Sequence, residues 1–337
     1  MPLKVLFIGG TGIISAGCAQ LAAASGLDLH VLNRGRSTLR PLPDGARVVN
    51  ADVRDTDAVR RAIGDEQFDV VVDFLSFTAE HVEAALDLFH GRTGQYVFIS
   101  SAAVYERPSP LPLVESAPLG NPYSAYGRNK IHCELVLARA HAERGFPVTV
   151  VRPSHTYDAT AIPFDGGWTV LDRMRRGKEV LVHGDGTSLW TMTHTEDFAH
   201  GFLGILGDPQ TVGETYHLTG DEVLTWNEIY RTMAEAAGAE ARLVHVPSAA
   251  IAAADPRWGE ELLGDKSHSL VFDNAKVRRI SPGSASPIPF SRGAQEIVRW
   301  YESHPDQHRV DERLGTLMDA LIEVHRPRPL SPAPGPV

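Results

Sequence analysis

The sequence predicts an α/β fold, a doubly wound parallel sheet with a smaller C-terminal α/β substrate lobe. Three observations carry this. Continuous apolar runs such as "KVLFI", "FDVVV" and "YVFI" alternate with helical patterns, the rhythm of a parallel sheet covered on both faces. A glycine turn, Gly9-Gly10-Thr11-Gly12, separates the first run from an Ala-rich helix. After about residue 155 the rhythm breaks, which sets the remainder apart.

Taken in order, "LKVLFIGG" is a buried strand and "TGIISAGCAQLAAASG" a helix that stops near Gly26. "LDLHVLNRG" and "ARVVNADV" supply two more strands, followed by the helix "RDTDAVRRAIG". "FDVVVDFLS", a helix from Ala79 to His90, "GQYVFISSAAVY", a helix from Tyr126 to Arg144 and the strand "PVTVVRPSHTY" continue the series. A Gly/Pro/Asp-rich stretch from Asp158 to Gly167 leads to a helix from Thr169 to Arg176. "KEVLVHGDGTSLWTMTH" reads as a hairpin turning at Gly184-Asp185-Gly186. "ETYHLTGDEVLTWNEIYRTMAEAAG" returns to strand, turn and helix, with Thr225 and Glu228 at capping-box spacing. Leu314, Leu317, Met318, Leu321 and Ile322 mark a last amphipathic helix. These elements divide the chain into a dinucleotide-binding domain over 1–157, rejoined at about 192–238, and a substrate lobe over 158–191 and 239–325. Residues 326–337 form a Pro-rich tail expected to be disordered.

Composition excludes several classes. Of 337 residues 43% are hydrophobic, enough for a large core, and 42 acids against 32 bases give a net charge of -10. Nucleic acid or an anionic membrane would be approached against that field. Cys18 and Cys133 are the only cysteines and lie outside any ligand spacing, so neither a disulfide framework nor a zinc site is expected and a reducing cytoplasm fits. The opening apolar run ends at glycine after six residues, and no run is long enough to span a bilayer.

In the glycine turn, backbone N–H groups and the helix dipole point at whatever enters, and a pyrophosphate is the natural guest. Gly9 and Gly12 give the tight turn and close approach, Ile13 and Ile14 open the helix, and Ser15 stands where a third glycine or alanine is usual. The end of the second strand reads Asn33-Arg34-Gly35-Arg36, without the carboxylate that usually meets a ribose diol. Arginine matches a 2'-phosphate, so NADP is expected in preference to NAD. Asp52 can accept from the adenine amine or cap the following helix.

Tyr126 and Lys130 lie four apart at the start of a helix, which puts both on one face. The glycine turn, "FISSAAVY" and "YSAYGRNK" together resemble the extended short-chain dehydrogenase/reductase superfamily, in its NAD(P)-dependent epimerase/dehydratase branch. The resemblance runs from Lys4 to about Glu302 and implies a Rossmann-type domain with Ser101, Tyr126 and Lys130 as the catalytic set. It implies Tyr126 as general base, its phenolate favoured by Lys130 and by the positive nicotinamide, with Ser101 hydrogen-bonding the reacting oxygen and Lys130 holding the nicotinamide ribose. By analogy of position Leu75, Ser76, Phe77 and Pro153 line the cofactor cleft.

Departures narrow the chemistry. Dehydratases of this superfamily carry an Asp-Glu pair where this chain has Ala102 and Ala103, so elimination of water is not expected. Many nucleotide-sugar epimerases have an Asn where His155 stands and an Arg where Trp190 stands, and loss of that arginine weakens the case for a diphosphate. Ala102, Ala103, His155 and Trp190 are the candidate substrate residues, and no metal is expected. Three functions follow: an epimerase of a sugar-containing metabolite, an NADP-dependent ketone reductase, and a non-catalytic nucleotide sensor or RNA-binding relative, since "GGTGIIS" and "NRG" also resemble chloroplast stem-loop-binding proteins. The intact catalytic set and the negative charge count against the last. The resemblance further implies a homodimer paired through the helices Ala79–His90 and Tyr126–Arg144.

Overall fold

The computed structural model describes residues 2–281 and 287–326, so most of the Pro-rich tail lies outside the described residues. Seven strands form one parallel sheet: β1 (Lys4–Ile8), β2 (Asp28–Asn33), β3 (Arg47–Asn50), β4 (Phe68–Asp73), β5 (Thr93–Ile99), β6 (Val148–Pro153) and, later in the chain, β10 (Thr215–Leu218). Their order is β10-β6-β5-β4-β1-β2-β3, so the winding reverses between β1 and β4. In such sheets ligands bind at that reversal, beyond the carboxyl ends of the strands. Period-two alternation buries both faces. Val5 and Phe7 pack under α1 (Ile13–Ala24) and α6 (Thr195–Leu203), while Leu6 and Ile8 pack with Val59, Phe89 and Leu137 of α2 (Thr56–Ile63), α3 (Ala79–Phe89) and α4 (Ala125–Arg144).

The remaining elements surround a third apolar cluster that includes Trp168, Trp190, Trp226, Val244 and Met318. They are β7 (His155–Tyr157), α5 (Trp168–Arg175), β8 (Val180–His183), β9 (Leu189–His194), β11 (Val223–Thr225), α7 (Trp226–Ala236), β12 (Leu243–Val246), α8 (Ser248–Ala254), α9 (Pro256–Glu261), a π-helical turn (Leu262–Lys266), α11 (Phe290–Ser303) and α12 (Glu312–His325), whereas Val277 of α10 (Ala275–Ile280) packs with Val5 and Phe7 against the seven-stranded sheet. Thr225 and Glu228 form the expected capping box on α7. Met318 and Ile322 of α12 are buried, with Leu314, Leu317 and Leu321 packed around them.

Two expectations are corrected. The segment from Lys178 to His194 is no hairpin: β8 pairs in parallel with β12, whereas β9 pairs with β7 and β11 in another sheet. Gly184 and Gly186 do turn the chain, with φ of 60° and 70°. Turn chemistry dictates the reversal but not the partner, and all four residues of β8 are buried, which demands neighbours beyond one hairpin strand. The strand "PVTVVRPSHTY" is also two strands. β6 ends at Pro153, and the chain crosses at Ser154 into β7 of the three-stranded sheet.

Candidate active site

The first turn of the site is set by Gly9. Its φ is +90°, and a Cβ there would stand 3.0 Å from Leu75 Cγ, so a larger residue would meet both backbone strain and the opposite wall. Gly12 caps α1 without a side chain, and Ser15 Oγ accepts from Gly12 N at 2.9 Å. Ser15 is therefore more than a small packing residue. It holds the turn closed from inside the helix.

At the far end of β2, Asn33 Oδ1 accepts from Gly35 N at 2.9 Å and shapes the bend. Arg34 Nη1 stands 3.6 Å from Asp52 Oδ2, so its charge is already faced by a carboxylate. Asp52 Oδ1 accepts from Arg54 N, while the N-cap of α2 is Asp55. Asp52 thus leaves the cap to its neighbour. Arg36 lines the same space and has no hydrogen-bond or ionic partner among the described residues. The sequence reading missed Arg54, whose Nη2 donates to Leu75 O at 2.5 Å and ties this end to the loop after β4.

That loop is built on Asp73, also missed. Its carboxylate, 1% exposed, accepts from Leu75 N, Ser76 N, Ser76 Oγ and Tyr96 OH at 2.5–2.9 Å. Such a fully satisfied buried anion fixes a loop as a unit. It also turns the Ser76 side chain inward, so Ser76 does not line the cleft as expected. Its carbonyl accepts from Lys130 instead.

The opposite end holds the polar set. Ser101 follows β5, and its Oγ accepts from Ala103 N at 3.1 Å in a 3-10 turn. Ser124 caps α4 by accepting from Gly127 N at 3.0 Å, which places Tyr126 and Lys130 in its first turns. Lys130 Nζ donates to Ser76 O at 2.7 Å and Ile99 O at 2.8 Å, and lies 4.6–5.9 Å from the ring centroids of Phe77, Phe98 and Tyr126. Burial lowers its ammonium to about 8, against the pull of Asp73. Burial raises the Tyr126 phenol above its ordinary value; a hydrogen bond with Ser101 draws it down and the Asp265 carboxylate pushes it up.

Behind this end lies a buried polar chain. Arg152 donates from Nε and Nη2 to the two oxygens of Glu134 at 3.0 and 2.6 Å, Ser100 Oγ donates to Glu134 Oε1 at 2.5 Å, and Arg152 Nη1 donates to Tyr105 OH at 2.8 Å. Tyr105 OH in turn bonds His217 Nε2. The chain ties α4 to β5, β6 and β10 directly beneath Ser101 and Lys130.

A cleft of about 720 Å³ joins the two ends, lined by Gly9, Gly12, Ile13, Ile14, Asn33, Arg34, Arg36, Asp52, Leu75, Phe77, Ser101, Tyr126, Lys130 and Pro153. The four candidate substrate residues are not in its wall. Ala102 and Ala103 are buried in the 3-10 turn. Trp190 is 1% exposed, with its ring centroid 5.3 Å from that of Trp226, so it is a core aromatic and offers no face for stacking. His155 meets both indoles edge to face, and burial beside Lys266 lowers it to about 4, so it is neutral at neutral pH. Among the described residues no group of His, Cys, Asp and Glu is placed to hold a metal, and no helix is long and apolar enough to cross a membrane.

A parallel sheet with a glycine turn at its winding reversal, opening on one cleft, defines a dinucleotide-binding fold. The chain belongs to the NAD dependent epimerase/dehydratase family, whose model matches residues 5–218, and it is an enzyme of that NAD(P)-dependent family. Among curated proteins it is similar to the 2'-dehydrokanamycin reductase of Streptomyces kanamyceticus, 28% identical over 304 residues that cover 88% of this chain and 84% of that one. It is also similar to the chloroplast stem-loop binding protein of 41 kDa b of Arabidopsis thaliana, 27% identical over 255 residues covering 72% of this chain and 65% of that one. Its fold matches that of the UDP-glucose 4-epimerase from Bifidobacterium longum in complex with NAD+ and UDP, with a TM-score of 0.73 at 21% identity, over 90% of this chain and 99% of that one.

Proposed function

We propose that the chain catalyses hydride transfer at a carbinol or ketone carbon of a sugar-containing small molecule, as an epimerase that oxidises the carbinol transiently and returns hydride to its other face. The observation that carries this reading is the meeting of Ser101, Tyr126 and Lys130 at one end of a cleft whose other end is the glycine turn. The residues present suit a dinucleotide: the turn at Gly9 leaves a cradle that a Cβ would fill. Gly9, Gly12, Ile13 and Ile14 would hold the pyrophosphate, Asn33, Arg34, Arg36 and Asp52 the adenosine end, and Leu75, Phe77 and Pro153 the remaining walls. When bound, the nicotinamide supplies the acceptor and donor of hydride. Tyr126 exchanges a proton with the reacting oxygen, Ser101 donates a hydrogen bond to that oxygen, and the Lys130 ammonium holds the ribose beside it.

A second reading, a reductase that exchanges NADP(H) at each turnover, is favoured by two observations. Arg36 is free to meet a 2'-phosphate, and a phenol above its ordinary value is protonated at neutral pH, the form that gives a proton to a ketone oxygen. The likeness to 2'-dehydrokanamycin reductase agrees with it. We assign a homodimer to the faces of α3 and α4, where Leu135 is 60% exposed, and a cytoplasmic setting in keeping with two buried free thiols.

Denaturing the purified protein and identifying released nicotinamide separates the two readings. Stoichiometric oxidised cofactor supports the epimerase; an empty protein that binds NADPH more tightly than NADH supports the reductase. If Tyr126→Phe left the biological activity untouched, both readings would fall and a non-catalytic role would be favoured.

A further inference from the structure

Close to Tyr126 stands a carboxylate that the proposed chemistry does not use. Asp265 lies in the π-helical turn Leu262–Lys266, a geometry frequent at functional sites. The turn is fastened to the segments that carry Ser101 and Tyr126. Asn121 Nδ2 donates to Gly264 O at 2.7 Å and to Ala103 O at 2.9 Å, while its Oδ1 accepts from Ser124 N at 3.0 Å. Glu260 Oε1 accepts from Ala125 N at 2.6 Å. Arg107, whose side chain is wholly buried, donates from Nη2 to Ala102 O and to Asp265 Oδ1, each at 3.0 Å.

This leaves Asp265 Oδ2 without a hydrogen-bond partner among the described residues, on a side chain still 31% exposed. Through Arg107 the carboxylate is tied to the Ala102 carbonyl next to Ser101, and through Asn121 and Glu260 its turn is tied to the start of α4 next to Tyr126, which sets it at the border of the polar end of the cleft. The neighbouring cations are already engaged. Arg107 faces Asp265, and Lys266 Nζ holds Asp165 Oδ1 at 2.5 Å and Glu261 Oε2 at 2.9 Å. A phosphate entering here would lose its water to carboxylates and find no unpaired cation beside it. An ammonium would gain a charge-assisted hydrogen bond.

Resting on the reading of the cleft as a site of sugar oxidoreduction, we propose that Asp265 contacts the substrate and selects a sugar that carries an ammonium group near the reacting carbon, in preference to a nucleoside-diphosphate sugar. The test uses the full chain loaded with NADP+ or NADPH. The probes are amino sugars with a free amine, each paired with its N-acetyl derivative, together with UDP-glucose and UDP-N-acetylglucosamine. Binding is read by tryptophan fluorescence, and turnover by NADPH absorbance together with chromatographic separation of the sugar epimers. A free amine is expected to bind about tenfold or more tightly than its N-acetyl partner, the worth of one charged hydrogen bond. Asp265→Asn, which can keep an oxygen toward Arg107, is expected to erase that gap, as is Asp265→Ser, both with unchanged affinity for NADPH. Equal or tighter binding of the acetylated or UDP-linked probes, a panel in which no amine is preferred, or a preference untouched by either variant overturns the proposal. Tyr126-dependent turnover of a UDP-sugar would overturn it while leaving the reading of the cleft intact; failure to bind any nicotinamide cofactor would overturn both.

Discussion

A Cβ on Gly127 would stand 2.4 Å from the carbonyl oxygen of Ala103. The first turn of α4 is thus pressed against the 3-10 turn that follows Ser101, and only glycine allows the approach. The approach holds the residue after Tyr126 against the turn that Ser101 caps.

Gly127→Ala should therefore push α4 away and part Tyr126 from Ser101. Misplacement of this kind costs about 100-fold in turnover. Because the glycine turn at the other end of the cleft is untouched while Lys130 rides on the displaced helix, affinity for NADPH should fall by less than turnover does. Steady-state kinetics beside a cofactor titration separates the two; equal losses in both would mean that the helix had unfolded.

The Lys130 ammonium, lowered to about 8 by burial, should make cofactor binding pH-dependent. Below that value the charged form is present to meet the ribose, and above it the charge is lost. Affinity for the cofactor should fall as pH rises through about 8, and the inflection should vanish in Lys130→Met. An unchanged inflection in the variant would assign it to another group.

Acid should unfold the protein early. Burial holds His155, His183 and His217 at about 4 in the folded state, below the ordinary 6.5. Between these values the unfolded chain binds protons that the folded chain refuses. Stability from these residues is fully present above 6.5 and drains away as pH falls toward about 4. Thermal melts across that window should show Tm falling with each step of acid, less steeply in His217→Gln; equal slopes would exclude His217 as a contributor.

Glu134→Ala leaves the Arg152 guanidinium buried without its carboxylate. Removing one partner of a buried pair costs about 3–5 kcal/mol, read as a lower urea midpoint with an unchanged m value. A loss below about 1 kcal/mol would mean that water or a neighbour compensates the arginine.

The local features were legible in the sequence and the non-local ones were not. A turn that needs positive φ at Gly9 and an i,i+4 pair at Tyr126 and Lys130 are written into adjacent residues, as is the capping box at Thr225 and Glu228. Parallel strands announce themselves as continuous apolar runs. Partner choice does not: Gly184 and Gly186 signal a reversal in a hairpin and in a crossing between sheets alike. Trp190 and His155 are expected as substrate contacts because they stand where many nucleotide-sugar epimerases carry an Arg and an Asn, yet depth is decided by Trp226, which arrives 36 positions after Trp190. Asp73 reads as the last residue of a strand until Tyr96 closes on it. Arg107 and Asp265 are 158 positions apart, beyond any spacing rule.

The account turns on whether the cleft between Gly9 and Tyr126 holds a nicotinamide dinucleotide. Calorimetric titration with NADPH of the purified protein, first stripped of any nucleotide it retains, tests this most directly, run beside Gly9→Val, in which a branched side chain must adopt positive φ against Leu75. The account predicts one NADPH per chain for the unaltered protein and none for the variant, with both melting cooperatively. A protein that binds no cofactor, or a Gly9→Val variant that binds it equally well, would contradict it.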